Sequence, residues 1–500
     1  MRSKNTLFTI SIILLASLSS FAQIEVSYKE MMDNNSYNFY EVVDAANAYF
    51  DANGRTKGSG WKNFERWKAE NESKFYPSGD RSNVDFYGVT KTYTEIANQA
   101  QNLKNKASFT DGWVELGPWS ANNITSHYSP GIGRVQDFWV NPNNTNQMYI
   151  ASSTGGFWKS NNGGNTWQNT TDFLPAAGVF TFDVNPNNTN EILIAVCQGG
   201  FLYTHGIYRS TDAGATWTVS NFGPANLGWG GLGSNVRITK LRYHPTVANQ
   251  VFVGTSLGLF VSTDNLDTWQ SKFGGNVTDV AFHPNNTDVV YVYNNAGTDR
   301  NLLKISTNGG VSFGNAGGFP NNSNSRIYIS TSPAEPNHVY AASTKNVYKS
   351  TDQGNSFVAL SNPDETCLAF SVSDLNVNNM IYGYVDLQAS TDGGNTFTRT
   401  TSWSNQNSAY IHADMQIANC INGVFYVATD GYFAKSTDNG FTWTKLNDGT
   451  GIRDFYAVGT SQGDYSVHMA GSQDNGTSIL NKDGWIEWNG GDGMEALAHP

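Results

Sequence analysis

From Trp113 onward, short apolar runs alternate with polar, turn-forming segments, which is typical of β-strands joined by tight turns. One recurring phrase consists of a proline turn, a short polar spacer and an alternating apolar run. Its clearest copies occupy 140–151, 184–195, 244–254, 283–293 and 332–342. Because proline ends the preceding strand and fixes φ for the turn, each copy predicts the junction between two strands.

A second phrase of eight residues, called the box below, has the pattern Ser-x-Asp/Asn-x-Gly-x-Thr/Ser-Trp/Phe. The leading serines of successive boxes are 40 to 52 residues apart, which is the length of one four-stranded propeller blade. The sequence therefore predicts an all-β fold, a multi-bladed β-propeller with four-stranded antiparallel blades. The boxes occupy 160–167, 210–217, 262–269, 306–313, 350–357, 390–397 and 436–443.

The residue types of the box have structural reasons. The third side chain is expected to accept a hydrogen bond from the backbone N–H two residues on, and glycine at the fifth position permits a positive φ. The final aromatic ring is expected to fill the gap between neighbouring blades. Leu266 replaces the glycine in one copy, so that turn is expected to be strained or differently shaped. We interpret the third-position residues as structural; they are Asn162, Asp212, Asp264, Asn308, Asp352, Asp392 and Asp438.

The first 112 residues follow different patterns. Residues 1–22 resemble a secretory signal peptide, with basic residues, an apolar stretch and a cleavage site predicted after Ala22. Segments 37–51 and 60–74 place apolar residues three and four apart, which predicts amphipathic helices within a helical region spanning 23–112. We therefore expect a secreted or cell-surface protein.

The propeller region is predicted to span 113–500. After the last box, a repeat without a box runs through Trp488, and His499-Pro500 repeats a phrase that opens earlier blades. The sequence is therefore expected to stop within a blade of a longer product. One large ring of blades and two tandem seven-bladed rings both remain open.

Composition narrows the class of partner. The formal net charge is −12 and no basic cluster follows the N-terminus, which argues against nucleic acid. No later segment is apolar for long enough to span a membrane. The widely spaced Cys197, Cys367 and Cys420 lie in or beside apolar runs, so we interpret them as buried side chains rather than disulfide or zinc ligands. The sequence predicts no cofactor and no metal site.

The box and its spacing resemble the Asp-box, or bacterial neuraminidase (BNR) repeat, of sialidases, sortilin-type receptors and tandem-propeller xyloglucan hydrolases. The phrases at 411–414, 428–431, 472–477 and 490–493 are similar to large exported proteins of Bacteroidetes type, described as sortilin-like or glycosyl-hydrolase-like. This resemblance implies a ligand face away from the boxes. It also implies type IX secretion through a C-terminal sorting domain, which this sequence does not show. Because these families differ in activity, the resemblance leaves the function open.

Carboxylates outside the boxes are the candidates for catalysis, since a glycosidase needs two of them about 5–10 Å apart around one bond. The candidates are Asp414, Asp474, Asp492 and Glu495. His412 and Asp414 stand two apart on an expected strand, which would place both side chains on one face. They would serve as a base with its orienting partner, as cation ligands, or as a strut between blades.

Residues for ligand binding come from polar phrases and loop aromatics. Arg134, His412, Asp414 and Asp430 are the polar candidates, and Trp229 lies in the glycine-rich segment 228–233, where an aromatic ring would stack on a sugar. Trp119 and Trp403 are further loop aromatics of this kind.

This sequence lacks the marker residues of two enzyme families. The Arg-Ile-Pro phrase of sialidases is absent. Where xyloglucan hydrolases carry, by resemblance, an Asp before Gly-Gly, this sequence has Thr154 before Gly155-Gly156. Two hypotheses remain: a module that binds polysaccharide or protein, and a glycoside hydrolase acting on plant-type or host polysaccharide through an Asp/Asp or Asp/Glu pair. They differ on whether two carboxylates converge in the ligand cleft.

Overall fold

A computed structural model describes residues 26–82 and 115–498, with gaps at 127, 175, 177, 199–202, 224–235, 296–301, 321–325 and 408. The predicted signal peptide, residues 83–112 and Trp229 therefore lie outside the described residues. Contacts divide the chain into two compact units, Met1–Gly88 and Val89–Pro500.

The described residues of the first unit form three helices, α1 (Tyr28–Asp33), α2 (Phe39–Asn53) and α3 (Trp61–Phe75). Capping boxes begin α1 and α2, in which Ser27 and Asn38 accept backbone hydrogen bonds. An aromatic core joins the helices, because Phe39, Phe50 and Phe64 are fully buried. The amphipathic patterns of this region therefore form packed helices.

The described residues of the second unit form eight sheets, in which consecutive strands pair antiparallel; the one parallel pair of strands lies in the last sheet. Seven sheets have four strands each and are called blades 1 to 7 in chain order. Blade 1 contains β2 (Asp137–Val140), β3 (Met148–Ser152), β4 (Gly156–Ser160) and β5 (Gln168–Asn169); blade 2 contains β6 (Gly178–Val184), β7 (Ile192–Gln198), β8 (Tyr203–Ser210) and β9 (Thr218–Val219). Blade 3 contains β10 (Ile238–Tyr243), β11 (Val251–Thr255), β12 (Gly258–Ser262) and β13 (Gln270–Gly274); blade 4 contains β14 (Val277–Phe282), β15 (Val290–Asn294), β16 (Leu302–Ser306) and β17 (Gly314–Asn315).

The remaining sheets continue the same order. Blade 5 contains β18 (Tyr328–Thr331), β19 (Val339–Ser343), β20 (Asn346–Ser350) and β21 (Val358–Ala359); blade 6 contains β22 (Ala369–Val372), β23 (Met380–Gly383), β24 (Leu387–Ser390) and β25 (Thr398–Arg399). Blade 7 contains β26 (Met415–Ile421), β27 (Val424–Thr429), β28 (Phe433–Ser436) and β29 (Thr444–Lys445). Sheet 8 contains β30 (Phe455–Thr460), β31 (His468–Ser472), β32 (Thr477–Asn481) and β33 (Gly484–Trp488), and β1 (Ile124–Thr125) pairs in parallel with β33.

Blades 1 to 7 form a closed ring. The first strand of each blade contacts the first strand of the next, and β26 of blade 7 contacts β2 of blade 1. At the closure, the rings of Phe138 and Phe433 have centroids 5.0 Å apart, and Trp167 Nε1 donates to the Leu446 carbonyl at 2.7 Å. The ring therefore closes after seven blades, and sheet 8 follows the closure. Of the two arrangements that the sequence left open, one large ring is therefore wrong, and of two tandem seven-bladed rings the described residues contain one.

The boxes form one recurring turn. In the second box, Asp212 Oδ1 accepts from the Thr216 N–H at 2.8 Å, and Asp212 Oδ2 accepts from the Thr216 hydroxyl at 2.6 Å. The expectation of a bond from the N–H two residues on is therefore wrong. The fourth and fifth residues, Ala213 and Gly214, both have positive φ, so the chain turns back and brings the later N–H groups to the carboxylate. Trp217 then inserts against blade 1, with its Nε1 donating to the Thr170 carbonyl at 3.1 Å.

Leu266 takes the same turn without glycine. Its φ is 72°, in the left-handed region, and its N–H donates to the Ser262 hydroxyl at 2.8 Å as the glycine does in other boxes. The expected strain is therefore present, whereas the turn keeps the shape of the other boxes.

Strand order places all boxes at one end of the ring. The boxes join the third and fourth strands of each blade and the proline turns join the first and second, so both lie at the same end, called the box face. Hydrogen bonds connect them, as between the Ala213 N–H and the Asn190 carbonyl at 2.9 Å. The opposite end, called the open face, carries the turns between second and third strands and the segments that lead into each first strand.

The three cysteines, Cys197, Cys367 and Cys420, are buried free thiols, as the sequence predicted. In the part of the chain that the structure describes, no helix is long and apolar enough to cross a membrane.

Candidate ligand-binding site at the open face

Charged side chains converge at the open face where blades 7 and 1 meet sheet 8. Arg134 leads into β2, Asp414 leads into β26, and Asp430 lies in the turn between β27 and β28. Asp474 lies in the turn between β31 and β32, and Asp492 follows β33. These five residues, called the acidic cluster below, were all among the sequence-predicted site residues.

Arg134 holds two carboxylates of the acidic cluster together. Its Nε and Nη2 atoms donate to Oδ1 and Oδ2 of Asp430, both at 2.7 Å, in a bidentate pair. The same Nη2 lies 3.6 Å from Oδ2 of Asp474. One guanidinium therefore joins blade 1, blade 7 and sheet 8.

Asp430 is the most deeply buried carboxyl of the acidic cluster, with 4% of its side chain exposed. Burial raises its pKa to about 6, although the Arg134 guanidinium opposes the shift. Gln416 Nε2 also donates to Asp430 Oδ1 at 2.6 Å. A carboxyl that titrates near neutral pH within a charged cluster is a common property of functional sites.

His412 and Asp414 do not lie on a strand, so the prediction that they share one strand face is wrong. Both precede β26, and the left-handed φ of 60° at Asp414 interrupts the alternation of side chains. Instead, His412 Nε2 lies 3.1 Å from the backbone carbonyl oxygen of Asp474. The histidine thus joins blade 7 to sheet 8.

Tyr384, in the turn between β23 and β24 of blade 6, hydrogen-bonds to Asp414. Burial and the negative charge of Asp474 raise the pKa of Asp414. Burial also raises the pKa of Tyr384 to about 12, so the phenol remains a proton donor at neutral pH. The two side chains form a donor–acceptor pair at the edge of the acidic cluster.

Asp492 organises the turn of sheet 8. Its Oδ1 accepts from the Asp474 backbone N–H at 3.1 Å and from the Tyr456 hydroxyl at 3.2 Å. Asp474 itself has a left-handed φ of 56°, so this hydrogen bond supports a conformation that side chains rarely adopt.

An aromatic pair lies beside Asp492. The rings of Tyr128 and Trp403 meet edge to face with centroids 5.7 Å apart, and 45% of Tyr128 is exposed. Tyr128 also packs on the backbone of Gly490 and Gly491, where an added Cβ on Gly490 would lie 2.5 Å from the ring. These glycines allow the aromatic pair to approach sheet 8 closely.

The remaining predicted residues are placed differently. Glu495 is exposed and separate from the contacts described above, whereas Trp229 falls outside the described residues. Carboxylates on the first strands join neighbouring blades, since Asp183 accepts from the Tyr243 N–H at 2.7 Å and Asp279 from the Ile329 N–H at 2.8 Å.

Sequence reasoning missed Tyr384, Gln416 and Tyr128. The signal that would have found Tyr384 is its position in the repeat, because it follows the second strand of blade 6 as Asp430 follows the second strand of blade 7. Among the described residues, no three His, Cys, Asp or Glu side chains are arranged to hold a metal ion.

Comparison with known proteins shows the class of fold. No family model and no curated protein sequence matches the chain. Among solved structures, the GH74 enzyme of Niastella koreensis superposes with a TM-score of 0.55 at 18% identity, covering 73% of this chain and 60% of that chain. The GH74 xyloglucanase of Xanthomonas campestris gives 0.54 at 15% identity, covering 70% and 59%.

An ancestral GH74 enzyme gives a TM-score of 0.54 at 19% identity, covering 75% of this chain and 56% of that chain. This chain therefore spans about 60% of the length of the GH74 structures that it matches. Together with the sheets and their order, these likenesses show that the chain is a β-propeller protein with a fold shared with GH74 glycoside hydrolases.

Proposed function

We propose that the protein is a secreted polysaccharide-binding propeller whose ligand lies on the open face, across the aromatic pair and the acidic cluster. The observation that carries this proposal is the exposed Tyr128, which packs against Trp403 and against Gly490 and Gly491, the residues that precede Asp492. Aromatic rings stack on the apolar faces of sugars, and carboxylates accept hydrogen bonds from sugar hydroxyls. Export by the predicted signal peptide would bring the site to extracellular glycans.

Charge and shape favour a neutral glycan over other ligands. The net charge of −12 and the carboxylates of the acidic cluster disfavour nucleic acid and strongly acidic polymers. A protein ligand is the other form of recognition, and it would be favoured if the protein bound no glycan.

The test is binding to a panel of xyloglucan, β-glucan and sialylated glycan by affinity electrophoresis or calorimetry. Tyr128→Ala and Trp403→Ala are expected to weaken binding by roughly fivefold or more, on the scale of about 1–3 kcal/mol that a nucleic-acid base gains by stacking on an aromatic side chain. Tyr465→Ala is the matched control, because Tyr465 is 82% exposed in the turn between β30 and β31, at the end of sheet 8 that corresponds to the box face. Binding of no glycan in the panel, or equal losses in Tyr128→Ala and Tyr465→Ala, would contradict the proposal.

Glycoside hydrolysis is the second candidate. It is favoured by the convergence of Asp414, Asp430 and Asp474, of which Asp430 has a pKa of about 6 through burial, and by the fold shared with GH74 enzymes. Carboxyls whose pKa values differ within one site can divide the acid and base roles of a glycosidase. Against it stands Thr154, at the position where the resembled hydrolases carry an Asp.

A reducing-sugar assay on the same polysaccharides separates the two candidates. Hydrolysis that is lost in Asp474→Asn and kept in Asp464→Asn would establish the enzyme; Asp464 lies on the turn with Tyr465 and serves as the matched control. Glycan binding without release of reducing ends supports the binding module. Export itself is tested by N-terminal sequencing of the secreted protein, which is expected to begin at Gln23.

A further inference from the structure

The central channel of the ring contains a cavity that is separate from the aromatic pair. Its lining comes from first strands and the residues just before them, including Gln136 of blade 1, Lys240 of blade 3, Thr278 of blade 4, and Arg326 and Tyr328 of blade 5. The space between the protein atoms, with its opening to solvent, is about 360 Å³. The cavity is open to solvent, so a small solute can reach its wall from outside.

Four residues of this lining each carry a polar atom that is buried without a hydrogen-bond partner in the described part of the chain. These atoms are the Tyr328 hydroxyl, Arg326 Nε, Thr278 Oγ1 and Gln136 Oε1. Tyr328 is 91% buried, being 9% exposed. Since buried polar groups are nearly always satisfied in folded proteins, several unsatisfied groups around one cavity indicate a bound polar species.

The charges of the cavity wall indicate the sign of that species. Lys240 Nζ pairs with Asp279 Oδ1 at 3.1 Å. The Asp137 carboxylate is satisfied by neutral donors, since Oδ2 accepts from the Thr181 hydroxyl at 2.7 Å and Oδ1 from the Phe138 N–H at 2.9 Å. Arg326, by contrast, has no carboxylate within ion-pair distance among the described residues. A guanidinium held in a cavity without a counter-ion favours an anion there.

We propose that the central channel binds a small oxyanion, a phosphate, a sulfate or the carboxylate of an acidic sugar, through Arg326, the Tyr328 hydroxyl and Thr278. Gln136 Oε1 accepts from the O–H of hydrogen phosphate or from a sugar hydroxyl, whereas sulfate has no proton to donate at neutral pH. Burial raises the pKa of Tyr328, so its hydroxyl remains a donor at neutral and alkaline pH. This site does not depend on the proposed glycan-binding function of the open face.

The test is isothermal titration calorimetry of the whole protein with inorganic phosphate, sulfate and glucuronate at constant ionic strength, with chloride as the balancing anion. We expect saturable binding of one anion per chain. Arg326→Gln should weaken it at least about tenfold, because a hydrogen bond to a charged group contributes roughly 1.5–3 kcal/mol. Tyr328→Phe should weaken it roughly two- to tenfold.

Arg209→Gln is the matched control, since Arg209 lies on β8 and contacts the Asn265 carbonyl of blade 3 rather than the cavity. It should leave the affinity unchanged. Tighter binding of phosphate and sulfate than of glucuronate would identify a free inorganic ion, and the reverse order would identify an acidic sugar. No saturable binding of any of the three anions would overturn the proposal and leave water as the occupant. Equal affinities of wild type, Arg326→Gln and Tyr328→Phe would overturn it too. If Arg326→Gln does not fold, the affinity of Tyr328→Phe alone tests the proposal.

Discussion

Leu266 occupies the box position that glycine fills in the other copies, and replacing it sets two effects against each other. Its backbone has a left-handed φ of 72°, which costs an L-residue about 1–2 kcal/mol. Its side chain, however, is fully buried in a cluster with Leu193 and Ile207 of blade 2. Restoring the glycine would relieve the backbone strain but remove a core side chain.

Loss of the buried side chain should cost more free energy than relief of the backbone strain returns. Removing a buried leucine costs about 2–5 kcal/mol, which exceeds the strain that glycine relieves. We therefore expect Leu266→Gly to lower the free energy of unfolding, although it restores the box pattern. Leu266→Ala loses nearly the same side chain and keeps the strain. Glycine's own entropy cost offsets part of the relief, so Leu266→Ala should be roughly 0.5–1 kcal/mol less stable than Leu266→Gly.

Urea denaturation followed by tryptophan fluorescence measures both variants beside the wild type. The predicted order of stability is wild type, then Leu266→Gly, then Leu266→Ala. A Leu266→Gly protein more stable than wild type would show that strain, not burial, dominates this turn. A Leu266→Ala protein more stable than Leu266→Gly would show that the left-handed backbone carries no cost.

Three further predictions concern other parts of the ring and its junction with sheet 8. Gly310→Ala should destabilise strongly, because its Cβ would lie 2.4 Å from the Phe252 ring at a φ of 82°, and thermal melting checks this. Arg453→Met should lower the free energy of unfolding by about 3–5 kcal/mol, because it leaves Glu487, whose side chain is 2% exposed, as an uncompensated buried charge. The double variant Arg453→Met with Glu487→Met should lose less of this free energy, as measured by urea denaturation. Burial raises the pKa of Asp430 to about 6, above its unfolded value near 4. The protonated carboxyl therefore stabilises the fold below about pH 4, and this contribution is lost as the pH rises to 6. In Asp430→Asn, the free energy of unfolding should depend less on pH over that range.

The repeats predicted the blades because each box and each proline turn is a local structure, specified within a few residues. Ring closure was not predictable in the same way. It depends on packing between distant segments, such as the contact of Phe138 with Phe433. Local patterns also could not show that Leu266 would keep the turn, since its cost is offset by burial against another blade.

The sequence predicted most residues of the candidate site, but it did not predict which of them contact one another. Arg134 and Asp430 were both chosen from their polar phrases, yet they are 296 residues apart and meet only because blade 7 packs on blade 1. Gln416 and Tyr384 carry no motif of their own, so only the folded ring reveals their contacts with Asp430 and Asp414.

Hydrogen–deuterium exchange with bound glycan tests the open-face site most directly. The protein would be exchanged with and without the polysaccharide that binds best in the panel, and protection compared between peptides from the two faces. We predict protection in peptides containing Tyr128, Trp403 and the 473–476 turn, and no change in the box peptides. Protection confined to the box peptides, with unchanged exchange at the open face, would contradict the account.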